Sequence, residues 1–189
     1  MPGLIDGLAR KHPGKRIELW FMDEARVGQK GGLTHVWYQK GVRPRGVRQQ
    51  GFASAHLFGA VCPERGAGVA LVLPEVSTAA MEVFLAELAR AVSAGTHVAL
   101  VLDGAGWHVS KQLVVPANLT LIPLPPYSPE LNPIERLWFY LRDNRLTHRV
   151  FADTAQIIDA CCDAWNTLLG ETDRIRSLCS YPWIEKVSA

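Results

Sequence analysis

The run "HVALVLD", His97 to Asp103, decides how this chain folds. Its apolar residues from Val98 to Leu102 follow one another without a polar break, a pattern typical of a strand buried on both faces. Such a strand needs helices on both sides of its sheet, so the run predicts an α/β fold. Asp103 closes the run at the carboxyl end of the strand, where sites in α/β sheets gather.

The segments on either side of this run predict its neighbours. Upstream, Ser77 or Thr78 caps an amphipathic helix that we expect to be closed by Gly95. Downstream, "LTLIPL" (119–124) predicts another strand, with a short helix over 110–114 in between. A crossover of this kind joins parallel strands.

The first third of the chain predicts three more strands, which form a meander. They cover 16–24, 54–62 and 68–74. The first of them, "RIELWFMDE", is expected to end at Asp23 and Glu24, and the other two are joined by a tight turn as a hairpin. The sequence therefore predicts a mixed five-stranded sheet, a three-strand meander plus two crossover-linked strands, with helices on both faces.

A basic, Gly-rich stretch separates the first two strands. Residues 25–52 are predicted to be a loop or hairpin insertion, with a possible short strand at "THVWYQ" (34–39). The cations there are Lys40, Arg43, Arg45 and Arg48, and a second basic group, which includes Arg136 and Arg142, follows Glu135. Both groups fit either an ordinary solvated surface or a DNA phosphate-binding one.

The stretch "LPPYSPELNPIERLWFYLRDN" (124–144) predicts a helix with a carboxylate in its first turn. Asn132 is a favourable N-cap, Pro133 suits the first helical position, and Glu135 stands where a capping-box acid would reach back. The apolar face of the helix comprises Ile134, Leu137, Trp138 and Leu141. Glu135 sits beside that face, so it could be a helix cap or take part in chemistry. A last long helix is predicted after Asp153.

Three carboxylates, those of Asp23, Asp103 and Glu135, together fit a more specific kind of site, one that binds divalent metal ions. Asp23 and Asp103 converge if their strands are neighbours, although turn chemistry explains either one alone. With Glu135 they supply the hard oxygen ligands that Mg²⁺ takes. Two such ions can activate a water or hydroxyl and stabilise the leaving oxygen of a phosphoryl displacement. Two Mg²⁺, three carboxylates and one phosphodiester also balance in charge.

Composition excludes several classes of protein. Hydrophobic residues make up 48% and charged residues 20%, which is ordinary for a globular domain and excludes disorder. We see no membrane span and no apolar signal core, so we expect a cytoplasmic protein. The four cysteines show no CxxC spacing, which favours buried apolar roles over zinc or disulfides. They are Cys62, Cys161, Cys162 and Cys179.

Three blocks of the sequence resemble a known family. "MDEAR" (22–26), "VLDGAGWH" (101–108) and "PLPPYSPELNPIERLW" (123–138) are similar to the catalytic blocks of DDE transposases, in the bacterial insertion-sequence branch of the Tc/mariner superfamily. The 31 residues between Asp103 and Glu135 fit the spacing of that superfamily. The resemblance spans about residues 16–170 and implies a ribonuclease H-like fold, DNA strand cleavage and strand transfer.

The resemblance also implies roles for individual residues. Asp23, Asp103 and Glu135 carry over as catalytic ligands of two Mg²⁺ or Mn²⁺ ions. Glu24 competes with Asp23, but the motif places the ligand at the first acid of the pair. His108 matches a histidine common in the second block and would orient a phosphate or a carboxylate, or be structural. Asn132 would cap the Glu135 helix, while Gly104 stands where family members often have Asn.

The same resemblance divides the chain and names its partners. Residues 1–16 are expected to be the remnant of an interdomain linker, 17–170 the catalytic domain and 171–189 a C-terminal helical tail. The implied partner is DNA, at insertion-sequence ends and targets, near the bacterial nucleoid. Recognition of those ends would need a separate or missing N-terminal helix-turn-helix part, and family members act as dimers.

Two other functions stay open at this point. The chain could be a non-catalytic or truncated transposase relic that binds DNA and regulates transposition. It could also be another ribonuclease H-like nuclease, although the proline-rich block is not typical of those enzymes.

Overall fold

A computed structural model describes residues 2–30, 39–42, 49–108, 110–147 and 149–184. The strands are β1 (Arg16–Gly28), β2 (Ser54–Cys62), β3 (Ala67–Leu73), β4 (Thr96–Leu102) and β5 (Leu119–Pro123). The helices are α1 (Pro2–Lys11), α2 (Thr78–Ala91), α3 (Ile134–Leu141), α4 (Thr154–Gly170) and α5 (Arg174–Cys179). No helix within these ranges is long and apolar enough to cross a membrane.

The five strands form one mixed sheet in the order β3-β2-β1-β4-β5. β1, β2 and β3 pair antiparallel as a meander, whereas β4 and β5 join β1 in parallel. All seven residues of β4 are buried. The predicted sheet is thereby confirmed, and the fully buried β4 lies next to its centre because only an inner strand is covered on both faces.

Helices cover both faces of this sheet, as predicted. On one face α2 packs Met81, Phe84 and Leu88 into a cluster with Trp20 and Phe58. The other face carries α1, α3, α4 and α5, whose buried residues include Leu8, Ile134, Ile157 and Ile175. Full burial of one such aliphatic side chain contributes about 1.5–3 kcal/mol, so the two clusters hold the layers together.

The predicted end of the first strand is wrong. β1 does not stop at Asp23 and Glu24 but runs on to Gly28. Its pairing with β4 ends at Phe21, while its pairing with β2 continues as far as Gly28. The two acids therefore lie where β1 separates from β4, rather than at the end of a strand.

Two helix predictions also need correction. α2 begins after Ser77, whose hydroxyl accepts from Ala80 N (3.1 Å), but it ends at Ala91 rather than at Gly95. Val92 ends it because its backbone is extended. Residues 110–114 form a turn and no helix, and the amide of Val114 donates instead to Glu82 of α2 (2.9 Å).

The helices after β5 follow their sequence patterns closely. The predicted apolar face of α3 is buried, and so is that of α4, where Asp153 accepts from Gln156 N (2.9 Å) as the N-cap. Cys62, Cys161 and Cys179 are buried, as predicted, whereas Cys162 is exposed because it points away from the buried side of α4.

Both ends of the insertion are fixed to the segment before α4. The side-chain amides of Gln29 and Gln49 both donate to the carbonyl of Phe151, at 2.8 and 2.7 Å, and Gln49 accepts from Phe151 N (2.8 Å). Residues 31–38 and 43–48 lie outside the described residues. The predicted strand at 34–39, apart from Gln39, and the cations Arg43, Arg45 and Arg48 therefore fall there.

Candidate active site

The strand register brings Asp23 and Asp103 to the same level of the sheet. Phe21 pairs with Val101 as the last pair of β1 with β4, so the residues two positions further along each strand are Asp23 and Asp103. Side chains at matching positions of neighbouring parallel strands point to the same face. The predicted convergence of these two acids follows from the β1–β4 pairing.

An open cleft of about 500 Å³ lies above this edge of the sheet. Its acidic lining consists of Asp23, Asp103 and Glu135. The loop from Leu124 to Pro129 forms one lip, and Gly104 and Ala105 form part of the floor. A side chain at Gly104 would meet open space, so the cleft gains room at the position next to Asp103.

Asn132 and Trp138 dock α3 onto β1 and so position Glu135. The buried amide of Asn132 donates to the carbonyl of Met22 (3.0 Å), just past the last β1–β4 pair. One turn further along, the indole N–H of Trp138 donates to Asp23 Oδ2 (3.0 Å). Glu135 lies between these two contacts in sequence, so α3 carries its carboxylate to the cleft.

The helix does not use Glu135 as a capping-box acid. The amide N–H of Asn132, which such an acid would accept from, donates to the carbonyl of Pro129 (2.9 Å). Asn132 Oδ1 accepts weakly from Ile134 N (3.4 Å), as expected of a cap. Glu135 is half-buried and lines the cleft, which leaves its carboxylate available for another role.

His108 bridges Glu24 and Asp103, a connection that the sequence did not predict. Its imidazole is buried, with Nε2 2.8 Å from Glu24 Oε1 and Nδ1 2.7 Å from Asp103 Oδ1. Trp107 also donates to Glu24 Oε1 (3.0 Å), and the amide of Ala105 donates to Asp103 Oδ1 (3.1 Å). Glu24 is thus a buried partner of His108 and lies apart from the lining of the cleft.

Burial and the neighbouring carboxylates shift the pKa values of Asp23, Glu135 and His108. Burial raises the pKa of Asp23 to about 7, and the Glu135 and Glu24 carboxylates add to the rise. Burial also raises the pKa of Glu135, together with Asp103, while Arg142 opposes the change. Burial alone would lower the pKa of His108, but Glu24 and Asp103 outweigh it and raise that pKa.

This donor set fits a hard divalent cation. The three lining carboxylates offer only oxygen ligands, the kind that Mg²⁺ prefers. In the described part of the chain, no three His, Cys, Asp or Glu side chains are drawn close enough to form a ready-made metal site.

Only some of the residues predicted to contact DNA lie in the described part of the chain. Lys40 and Arg142 are exposed, and Arg142 lies close enough to influence Glu135. Arg136 is also exposed, and its guanidinium stacks 4.3 Å from the ring centre of Tyr181.

Sequence reasoning missed the tryptophans of the site. Trp138 looked like a core residue, and it is one, yet its indole N–H also holds Asp23. Trp107 lies inside a predicted turn, where its sequence position indicates no role, yet it donates to Glu24. The sequence did offer one indication, because a buried indole N–H needs a hydrogen-bond acceptor and the acids of the site could supply it.

A family model described as DDE superfamily endonuclease matches residues 18–158. An uncharacterized protein from Sinorhizobium fredii (strain NBRC 101917 / NGR234), y4pE/y4sA, is 49% identical over 132 residues, which cover 70% of this chain and 98% of that protein.

Solved structures with the same fold have little sequence in common with this chain. The Mos1 mariner paired end complex with Mn superimposes with a TM-score of 0.66 at 16% identity, over 99% of this chain and 58% of that one. The Mos1 transposase paired-end complex with left transposon end gives 0.65 at 18% identity, over 98% and 56%. The chain thus spans a little over half of the length of these proteins, and the likeness confirms the ribonuclease H-like fold.

Proposed function

The chain belongs to the DDE endonuclease superfamily, and we propose that it is the catalytic domain of an insertion-sequence transposase of the Tc/mariner type. In this proposal it cleaves DNA phosphodiester bonds with a divalent metal and transfers the freed strand to a target. The observation that carries the proposal is the meeting of Asp23, Asp103 and Glu135 in one cleft, from three separate elements.

In this mechanism Asp23, Asp103 and Glu135 would hold two Mg²⁺ or Mn²⁺ ions. When bound, such ions supply the Lewis acidity that makes water or a 3′-hydroxyl nucleophilic and stabilises the leaving oxygen. The chain's own part is to hold the carboxylates in position. Trp138 fixes one oxygen of Asp23, and His108 with the amide of Ala105 fixes one oxygen of Asp103.

The open shape of the cleft supports a polymeric substrate. Asp103 is largely exposed, and the Pro-rich lip leaves the acids accessible from outside. A DNA backbone could therefore lie across the carboxylates, with the exposed Lys40, Arg136 and Arg142 and the insertion cations Arg43, Arg45 and Arg48 as candidate phosphate contacts.

The remaining expectations form part of the proposal. Residues 17–170 would be the catalytic domain, 1–16 the linker remnant and 171–189 the helical tail. End recognition would come from a separate or missing N-terminal helix-turn-helix part, and the protein would act as a homodimer. A regulatory relic is the alternative. The intact set of carboxylates and the hydrogen bonds around it favour the enzyme, since a relic needs neither.

A nicking assay tests the proposal. The chain is incubated with DNA that carries the insertion-sequence ends, with and without a separate DNA-binding subunit, in Mg²⁺, Mn²⁺ or EDTA. The proposal predicts strand cleavage that depends on the divalent ion and disappears in EDTA. DNA binding without cleavage under every condition would favour the relic, and cleavage of RNA–DNA hybrids or junctions in preference to the ends would favour another nuclease.

A further inference from the structure

Tyr127 stands on the lip of the acidic cleft with its side chain uncovered. It is fully exposed although it is a large aromatic residue, and it belongs to the cleft lining. Its backbone lies in the left-handed region, at a φ of 57°. That conformation is unfavourable for a residue with a Cβ, and an exposed ring makes no packing contacts that would offset it.

The loop around Tyr127 holds the ring in a defined place. Pro125 and Pro126 precede it and fix their own φ angles, and Pro129 follows two residues later. The hydroxyl of Ser128 donates to the carbonyl of Pro126 across the turn (3.3 Å). A strained, proline-braced residue with an unused side chain at a functional cleft indicates a use that lies outside the protein.

A second exposed aromatic residue, Phe139, lies on the same helix as Glu135. Phe139 is 57% exposed and follows Glu135 by four residues, so the two side chains are neighbours on one face of α3. The guanidinium of Arg142 lies 5.4 Å from the Phe139 ring centre and is itself exposed. This face therefore presents a carboxylate, a flat ring and a cation in succession.

We propose that Tyr127 and Phe139 are stacking platforms for unpaired bases on either side of the scissile phosphate, with Arg142 contacting the backbone next to Phe139. The inference rests on the proposed DNA-cleaving function and deepens it, because it names the substrate as DNA whose strands are opened at the cut. Bases inside a duplex are stacked on each other and offer no face to a protein ring. Aromatic side chains beside a cation are the common device for unpaired nucleotides.

The charge of the site favours a nucleic acid over a protein or lipid occupant. An apolar protein partner would require a continuous apolar surface, but each ring has an acid beside it. Tyr127 shares the cleft lining with the three carboxylates, and Phe139 follows Glu135 by about one helical turn. The negative charge of DNA phosphates would be balanced by Arg142 and by the metal ions proposed for the cleft. The bases would stack on the rings of Tyr127 and Phe139.

A binding assay in EDTA tests the platforms without any chemistry. Two DNA probes of equal length and sequence are compared at low salt, one fully paired and one with a central unpaired tract that carries 2-aminopurine. The chain should bind the open probe about fivefold or more tightly than the paired one, and stacking should quench the 2-aminopurine fluorescence. Tyr127→Leu and Phe139→Leu should each lose most of the preference and the quenching, whereas Tyr127→Phe should keep both.

Two controls separate stacking from a structural role. Tyr127→Gly removes the ring but suits the left-handed backbone, so it should fold at least as stably as the parent and still lose the preference. Val83→Ala, at an exposed apolar residue of α2 on the opposite face of the sheet, should leave the preference unchanged.

Three results would overturn the inference: equal affinity of the parent for both probes, a preference that survives Tyr127→Gly and Phe139→Leu, or an equal loss in Val83→Ala. Since EDTA excludes cleavage, equal affinities would reject the platforms and leave the proposed chemistry standing. Retained stacking in a protein that fails the nicking assay would reject the chemistry alone.

Discussion

Two of the three carboxylates in the cleft have a nitrogen donor that fixes one of their oxygens. Trp138 serves Asp23, and His108 serves Asp103. The third, Glu135, is positioned through its helix, where Asn132 anchors the first turn to β1. At the scale of residues, the site is thus built from hydrogen bonds that leave each acid with an oxygen for a ligand.

His108 should be energetically coupled to Glu24. His108→Ala leaves the buried Glu24 carboxylate with Trp107 as its donor, which should cost about 1–3 kcal/mol of unfolding free energy. Glu24→Gln removes the buried charge. The double variant should therefore lose less unfolding free energy than the sum of the losses in the two single variants. Urea unfolding of the parent, both single variants and the double variant measures this coupling. Strict additivity would contradict a direct Glu24–His108 interaction.

Asp23 should make the metal-free protein less stable as the pH rises. Its pKa is about 7 in the folded protein, against an ordinary value of 3.8. Between these values the folded state binds more protons than the unfolded state, so stability falls with increasing pH. The difference corresponds to about 4 kcal/mol when complete.

Asp23→Asn should therefore stabilise the chain in EDTA, by an amount that grows from about pH 4 to about pH 7 and then levels off. Asn keeps an oxygen that accepts from Trp138. Unfolding curves of the parent and the variant at several pH values measure the effect. A difference that does not change with pH would contradict the raised pKa.

At the scale of elements, the site depends on how closely α3 approaches the meander. Gly59 of β2 pairs with Asp23, and a Cβ there would meet the Trp138 ring at 2.6 Å and that of Trp165 at 3.2 Å. Glycine is thus required where the two indoles cross the sheet. Trp138 in turn donates to Asp23, so the packing of β2 and the position of the Asp23 carboxylate are connected.

Gly59→Ala should destabilise the protein by about 1–3 kcal/mol, because it overpacks a site filled by rigid rings. It should also weaken the hydrogen bond between Trp138 and Asp23. Gly104→Ala is the matched control, since a Cβ there meets open space and should change stability little. Thermal unfolding of both variants measures the difference, and equal melting temperatures would contradict the close approach of α3.

The sequence predicted elements wherever a local pattern was sufficient. The buried run of β4, the caps at Ser77 and Asp153 and the apolar face of α3 all depend on residues close together in the chain. The continuation of β1 to Gly28 did not follow from its own residues, because it depends on pairing with β2. The His108–Glu24 bond likewise joins residues 84 positions apart, and only the folded sheet brings them together.

At the scale of the whole molecule, the proposed function assigns the metal ions to the acidic cleft and the DNA phosphates to the basic residues. The insertion is fixed at its two ends through Gln29 and Gln49, which both bond to Phe151. A net charge of +2 is small, which means that any DNA affinity depends on where the cations lie.

DNA binding by this chain alone should be weak, independent of sequence and strongly reduced by salt. Replacing Lys40, Arg43, Arg45 and Arg48 by Ala should lower the slope of log K against log salt by about 0.9 for each phosphate that the protein ceases to neutralise. Arg90→Ala is the control, because Arg90 is paired with Glu87 on α2 (2.6 Å). Fluorescence anisotropy at several salt concentrations measures the slope, and tight binding to one specific duplex at physiological salt would contradict this expectation.

The central claim is that Glu135 acts on the substrate rather than on its helix, and strand cleavage by Glu135→Gln tests it most directly. Gln is neutral and also suits a capping box, so the variant should fold and bind DNA like the parent. It should cut at least a hundredfold more slowly, about 3 kcal/mol in the barrier, because transition-state charge loses its compensation. Glu130→Gln, the same change at an exposed site before α3, should cut within a few-fold of the parent. Cleavage by Glu135→Gln at nearly the parental rate would contradict the account.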